Sequence, residues 1–222
     1  MSRWTNYDKR FMAYMNQRKR ALPLPKTGRG EQTRRKILDA AQREIGRRGF
    51  AEASIATTTA EAGVAQGTFY IYFRSKEDVM RELVLHMGRM LRHHLTEATT
   101  GAKDRIEAER LGLRAFLDFV RRNPDLYKLV EESQFVDEKV YRQYYTDFAK
   151  SYRIALAAAE KRGEITPGKN DSATEVRAWM LMGISVFLGQ RYGLWDPKAP
   201  LDPIVDVASA MVAGGLAAKA AR

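Results

Sequence analysis

Two short apolar-patterned segments separated by only three residues constrain this fold more than any other feature. Ile55 to Ala62 and Gln66 to Phe73 both carry helical spacing, and Gly63, Val64 and Ala65 are all that joins them. So short a connection forces two helices to cross steeply around a glycine turn, which is a helix-turn-helix. Ser54 stands where an N-cap of the first segment belongs, able to accept a free backbone N–H of the opening turn. In the second segment Phe69 and Phe73 lie four residues apart and share a face, which is predicted to pack on the preceding helices.

The rest of the chain also reads as helix. No stretch shows sustained alternation bounded by turn residues, so the expected fold class is all-α. A helix is expected from about Glu31 to Arg48, with Ile37, Leu38, Ala41 and Ile45 on one face and Gly49 as its stop. Ser75 with Glu77 and Asp78 forms a capping-like start for a helix over 75–100, where acidic residues suit the N-terminal dipole. Further helices are expected near 103–122, 124–132, 137–162, 171–192 and 203–219, separated by Asn123-Pro124, Arg162-Gly163, Pro167-Gly168 and the stretch from Asp196-Pro197 to Pro203. The organisation read from this is a basic N-terminal arm, 1–30, a helix-turn-helix domain, 31–76, and a larger helical domain, 77–222. In the arm Trp4, Tyr7 and Phe11 have helical spacing; an amphipathic helix and a disordered tail both fit it.

Charge divides the chain as sharply as pattern does. Residues 1–76 hold 16 Lys and Arg against 6 Asp and Glu, whereas the remaining 146 residues hold 22 against 21. A basic head on a neutral body points to a polyanionic partner for the head, because neutralising phosphates releases counterions. The chain has no cysteine. Disulfides, thiolate catalysis and cysteine-based zinc sites are excluded, and a reducing cytoplasm fits. The best apolar stretch, Trp179 to Gly189, is too short to span a bilayer, so no membrane partner is expected.

On that basis the second short helix is read as entering a DNA groove. Gln66 lies at the end of the helix that points at base edges, and its amide can pair bidentately with adenine. Gly67 lets the backbone come close to the duplex. Thr68 offers a hydroxyl and a methyl, and Ile71 can meet a thymine methyl. Tyr70, Tyr72, the hydroxyl and N–H of Ser54 and the ammonium of Lys76 are expected to contact phosphates, setting register without reading sequence. From the arm, Arg29 or Lys26 is expected to add phosphate or minor-groove contacts.

The stretch Thr33 to Leu83, above all RRGF, AGVAQGTFYIYF and SKEDV, resembles the DNA-binding domain of the TetR (tetracycline repressor) family. That resemblance implies an Ω-shaped homodimer with two reading heads, an all-helical C-terminal domain holding an effector pocket, and a dimer interface built from the last two long helices. Gln66, Thr68, Tyr70, Tyr72 and Lys76 match DNA-contacting positions of the family. Thr58 departs from the buried Ile or Leu usual there, Ala56 from a polar DNA-contacting residue, and the 30-residue arm is longer than usual.

The C-terminal half carries stripes compatible with these roles. Ile184, Phe187 and Leu188 in one helix, with Val205, Ala208, Met211 and Val212 in the last, are the expected dimer contacts; by pattern alone they fit an ordinary core equally well. The aromatic-rich segment 137–162 suggests a cavity lined by Phe116, Phe119, Tyr127, Phe135, Tyr145, Phe148, Trp179 and Met182, suited to a largely apolar or aromatic effector. By the family analogy His93 protrudes into it. His86, His93 and His94 share one helix without a carboxylate at ligand spacing, so no metal is expected. No phosphate loop or nucleophile elbow is present, so neither a cofactor nor an enzyme is expected. The reading is a ligand-responsive repressor of a palindromic operator; its rival is an architectural or cell-division DNA-binding protein with no small-molecule effector.

Overall fold

A computed structural model describes residues 25, 27–170 and 172–216; most of the arm lies outside these. Nine α-helices and one π-helical segment are found among the described residues, and no strand. The all-α expectation is met.

Helix α1, Gly28–Glu52, begins three residues earlier than the spacing predicted, because Thr27 caps it: its hydroxyl accepts the Gly30 N–H at 3.1 Å. The stop expected at Gly49 is present as a break. Gly49 takes φ 80°, which a side chain disfavours, and a last turn follows through Glu52. Helix α2, Ile55–Ala62, opens on Ser54 as predicted and closes on Gly63 in the left-handed conformation, φ 66°. Helix α3, Gln66–Tyr72, follows directly, and α4, Lys76–Thr99, starts on Ser75, whose hydroxyl accepts the Asp78 N–H at 3.3 Å.

The body comprises α5, Arg105–Arg122, α6, Pro124–Val136, α7, Glu138–Lys161, α8, Ala173–Leu188, and α9, Leu201–Leu216. The helix expected over 171–192 ends its α-helical course at Leu188 and widens into a π-helical segment, Gly189–Trp195. Glycine permits this: a Cβ on Gly193 would sit 2.5 Å from Val120 Cγ1, and one on Gly189 2.8 Å from Phe116 Cε1. The widened turn therefore lies directly on α5.

One continuous apolar core runs through both halves, from Ile37, Phe69 and Phe73 in the head, along Met80, Val84 and Leu91 of α4, to Leu117, Leu126 and Leu129 of the body. Helix α4 carries the core across, and α6 lies against α1. There the backbones approach closely at Gly46, where a Cβ would fall 2.3 Å from Asp125 Cβ. No helix of the described residues is long and apolar enough to cross a membrane.

Candidate functional site

The outward face of α3 is built by what its inward face buries. Phe69 and Phe73 are 1% and 2% exposed and stack at 5.6 Å, as the four-residue spacing predicted. Their burial turns Gln66, Gly67, Tyr70 and Ile71 outward into solvent, with Thr68 and Tyr72 half-buried at the edges. Ile71 is 65% and Tyr70 52% exposed, so α3 presents an apolar and a phenolic side chain side by side to solvent. Nothing lies within 4 Å of the position a Gly67 Cβ would take, so no atom of the described residues demands glycine there. Arg29 is exposed in the first turn of α1, and the Tyr72 hydroxyl lies next to Gly30, so the end of the arm and the edge of α3 adjoin. Lys26 and the rest of the arm lie outside the described residues.

Two residues expected to touch phosphate are engaged within the fold. The Lys76 ammonium donates to the carbonyl oxygens of Phe50 at 2.5 Å, Ala51 at 3.3 Å and Ala53 at 2.7 Å, and lies 4.3 Å from the Phe50 ring centroid. An ammonium has three protons. All three are committed to the end of α1, where a cation also suits the helix dipole. The N–H of Ser54 donates to Thr57 Oγ1 at 3.1 Å while its hydroxyl accepts the Thr57 N–H at 3.0 Å, a reciprocal capping box. Sequence could assign Ser54 as a cap but could not show that its own N–H is also used. Thr58 is buried, 5% exposed.

A cavity of about 200 Å³ lies between α4, α5, α7 and α8. Phe116, Tyr145, Phe148 and Met182 line it, as predicted; Leu91, Arg92, Leu95, Arg105, Tyr144 and Tyr152 complete much of its wall. Two carboxylates bond to residues of this wall, and their settings differ. Glu109 is paired with Arg105, 2.7 Å away, and accepts the Tyr152 hydroxyl. Glu131 accepts the Tyr145 hydroxyl at 2.9 Å, and burial raises its carboxyl above the ordinary value although that bond lowers it. Burial, then the Glu131 charge, pushes the Tyr145 phenol far up, so it remains a donor. Trp179 borders a more open adjoining hollow of about 590 Å³, with Tyr145 and Glu131 on its wall.

Residues 37–83 match the family model for bacterial regulatory proteins of the tetR family. The chain carries the DNA-binding domain of the TetR family. It is a DNA-binding regulator of transcription with a helix-turn-helix head. An HTH-type transcriptional regulator of Bacillus subtilis, YdgC, is 25% identical over 192 residues, spanning 85% of this chain and 95% of that protein. The fold agrees with that of the FadR regulator of Bacillus subtilis, solved with stearoyl-CoA, at a TM-score of 0.70 with 19% identity over 82% of this chain and 98% of that one. It agrees likewise with AibR, solved with isovaleryl coenzyme A and operator DNA, at a TM-score of 0.64 with 17% identity over 81% and 97%.

Measured against the TetR reading of the body, four cavity residues fall elsewhere. His93 is exposed on α4, with Nε2 3.3 Å from Glu97. Phe135 is 86% exposed near the end of α6. Phe119 and Tyr127 are buried but face the core: Phe119 packs on His94 at 5.6 Å, and Tyr127 donates to the Val186 carbonyl at 3.2 Å with its ring edge-on to Phe116. Pattern put them on aromatic-rich faces without telling which face meets the void. Arg92, Tyr144 and Tyr152 were missed as lining residues, though the aromatic density of α7 already pointed to that helix.

The last two helices divide likewise. Val205 and Ala208 are 0% and 6% exposed, packed in the chain's own core, which corrects their assignment to a dimer contact. The Arg110–Asp206 pair at 2.8 Å and the Arg114–Asp202 pair hold that face of α9 on α5. Ile184, Leu188 and Val212 are half-buried, whereas Phe187 and Met211 are 73% and 63% exposed. Val176, Met180 and Val207 join them on the open side.

Proposed function

We propose that the chain is a cytoplasmic, homodimeric transcriptional repressor that occupies a palindromic operator and releases it when a small, largely apolar or aromatic effector enters the body. The observation that carries this reading is the pair of hydrogen bonds on α6. Glu131 is held by Tyr145 at the cavity, and the next residue, Glu132, accepts the Phe50 backbone N–H of the head at 2.6 Å. A ligand that displaces Tyr145 acts on the same helix turn that fixes the end of α1.

Gln66 reads bases, Gly67 admits the duplex backbone, Thr68 and Ile71 contact base edges, and Tyr70, Tyr72 and Arg29 meet phosphates. Dimerisation through the open sides of α8 and α9 sets the two heads for successive major grooves, about 34 Å apart. The exposed Phe187, Val207 and Met211 support it, since so much contiguous apolar surface is rare on a monomer. The cavity is smaller than the roughly 300–1,000 Å³ of drug-sized sites, which favours a compact effector or an opening on binding. Release requires the effector to prefer the conformation that does not bind DNA, since equal affinity shifts nothing. That FadR and AibR were solved with acyl thioesters supports a small-molecule effector.

The test is a mobility-shift titration of the full chain on DNA upstream of its own coding region, repeated with a panel of fatty acyl thioesters, aromatic acids and hydrophobic antimicrobials. Saturable release by one compound is expected. Tight DNA binding that no cavity-bound ligand alters would favour the architectural reading instead.

A further inference from the structure

Two hydrogen-bond donors on the cavity wall have no acceptor. Arg92, on α4, forms no ion pair among the described residues; its guanidinium carbon lies 5.3 Å from the centroid of the Phe148 ring. Tyr144, on α7, is 5% exposed, yet its hydroxyl has no hydrogen-bond partner among the described residues. Its ring packs on the same Phe148 at 5.2 Å. A cationic fork and a neutral phenol therefore flank one aromatic ring on one wall. The neighbouring polar groups are satisfied: Arg105 pairs with Glu109, and Tyr145 and Tyr152 donate to Glu131 and Glu109.

Arg92 is half-buried and both groups line the cavity, so a ligand that displaces water from these two donors must supply acceptors in return or leave them desolvated at a cost. The missing partner must be acceptor-only, must tolerate a planar bidentate fork, and must carry negative charge to balance Arg92. A carboxylate meets all three conditions; an alcohol, an amine or a hydrocarbon does not. The rest of the wall, Leu91, Leu95, Phe116 and Met182, is apolar. We infer that the effector is a compact amphipathic acid, its carboxylate held by Arg92 and Tyr144 and its apolar body lying on Phe116 and Met182. This rests on the cavity being the effector site.

The test uses matched probes on the full chain by titration calorimetry: octanoate against 1-octanol, and benzoate against benzyl alcohol, with octanoyl-CoA to separate a free acid from a carrier-bound acyl group. One acid is expected to bind at least about tenfold more tightly than its alcohol, as a charge-assisted contact predicts. Arg92→Gln should remove that preference, Arg92→Lys retain part of it, and Tyr144→Phe reduce it, with circular dichroism confirming each fold. An acid and its alcohol binding equally in wild type, or a preference that survives Arg92→Gln, overturns the carboxylate assignment while leaving the cavity as effector site. Octanoyl-CoA binding that Arg92→Gln leaves untouched, with no binding of either free acid, overturns it too. If no probe enters the cavity and the effector panel also fails to release DNA, the cavity reading falls with it.

Discussion

Glu131 and Glu132, consecutive on α6, accept hydrogen bonds from two different halves of the molecule: Glu131 from the Tyr145 hydroxyl at the cavity, Glu132 from the Phe50 N–H at the end of α1. Successive helical residues point about 100° apart, so one turn of α6 faces both the body's void and the head. The contact is close, because Gly46 admits the Asp125 side chain against the α1 backbone. A rotation or slide of α6 cannot be absorbed there without moving α1. Lys76 extends the contact to α4, since the Phe50 carbonyl accepts its ammonium.

Gly46→Ala should therefore separate stability from coupling less cleanly than Glu132→Ala. The alanine Cβ would overlap Asp125, a steric clash worth about 1–3 kcal/mol. Glu132→Ala removes one charge-assisted bond at a half-buried site, about 1–2 kcal/mol, lowering Tm by about 2–8 °C for a chain this size. Its sharper effect is expected on release: effector should bind as before but shift DNA affinity less. Calorimetry of effector binding alongside DNA anisotropy checks this, and an unchanged effector response would dissociate α6 from signalling.

Lys76→Ala is expected to destabilise the free protein. Three carbonyl contacts at the end of α1 and a ring contact with Phe50 are lost together, about 1–3 kcal/mol in total. Urea unfolding without DNA measures it. Wild-type stability combined with weaker binding to every sequence would restore Lys76 to a phosphate role.

The helix-turn-helix was legible because its constraints are local. Ser54, Gly63 and Ser75 occupy caps whose chemistry is fixed by neighbours within four residues, and the Phe69–Phe73 spacing fixes which side of α3 is buried. What pattern could not settle was tertiary. Helix α9 is apolar on several sides, so Val205 and Ala208 could not be told from Val207 and Met211 until α5 was seen to cover the first pair. Likewise His93 and Leu91 differ by two residues on α4, yet one meets solvent and the other the cavity. Lys76 read as a free cation because its acceptors lie 23 to 26 residues back in the chain.

On α3, two substitutions should part folding from recognition. Gly67→Ala meets no atom within 4 Å and gains helix propensity, so stability should hold or rise by up to about 1 kcal/mol. DNA affinity should nevertheless fall about tenfold or more if the helix start abuts the duplex. Gln66→Ala should instead cost about 1–3 kcal/mol of discrimination at one base pair while leaving non-specific binding intact. Anisotropy on operator and scrambled duplexes distinguishes the two; equal losses on both duplexes for Gln66→Ala would rule out base reading.

Acidity provides a separate handle on the cavity. Burial raises the Glu131 carboxyl above its ordinary value of 4.5, so the folded chain holds that proton more tightly than the unfolded one. The stabilisation from protonating Glu131 is fully present below 4.5 and is lost as pH rises through the raised value. At pH 7 Glu131→Gln should thus be more stable than its wild-type difference at low pH predicts, and the gap between the two should close on acidification. Denaturant unfolding from pH 4 to 8 measures it, and a gap that widens towards acid would contradict the burial argument.

The open side of α8 and α9 separates assembly from folding through two substitutions of the same kind. Phe187 is 73% exposed, so Phe187→Glu removes little intrachain packing; it introduces a charge that a dimer interface must bury beside its own symmetry mate. A folded monomer is expected by sedimentation, with normal helicity and much weakened operator binding, since each head then binds alone. Val205 is fully buried against this subunit's own core, and Val205→Glu should instead lose the fold, leaving an unpaired charge among apolar side chains. Phe187→Glu remaining dimeric would move the interface elsewhere, and Val205→Glu folding as a monomer would mean that this face of α9, and not the outer one, meets the partner.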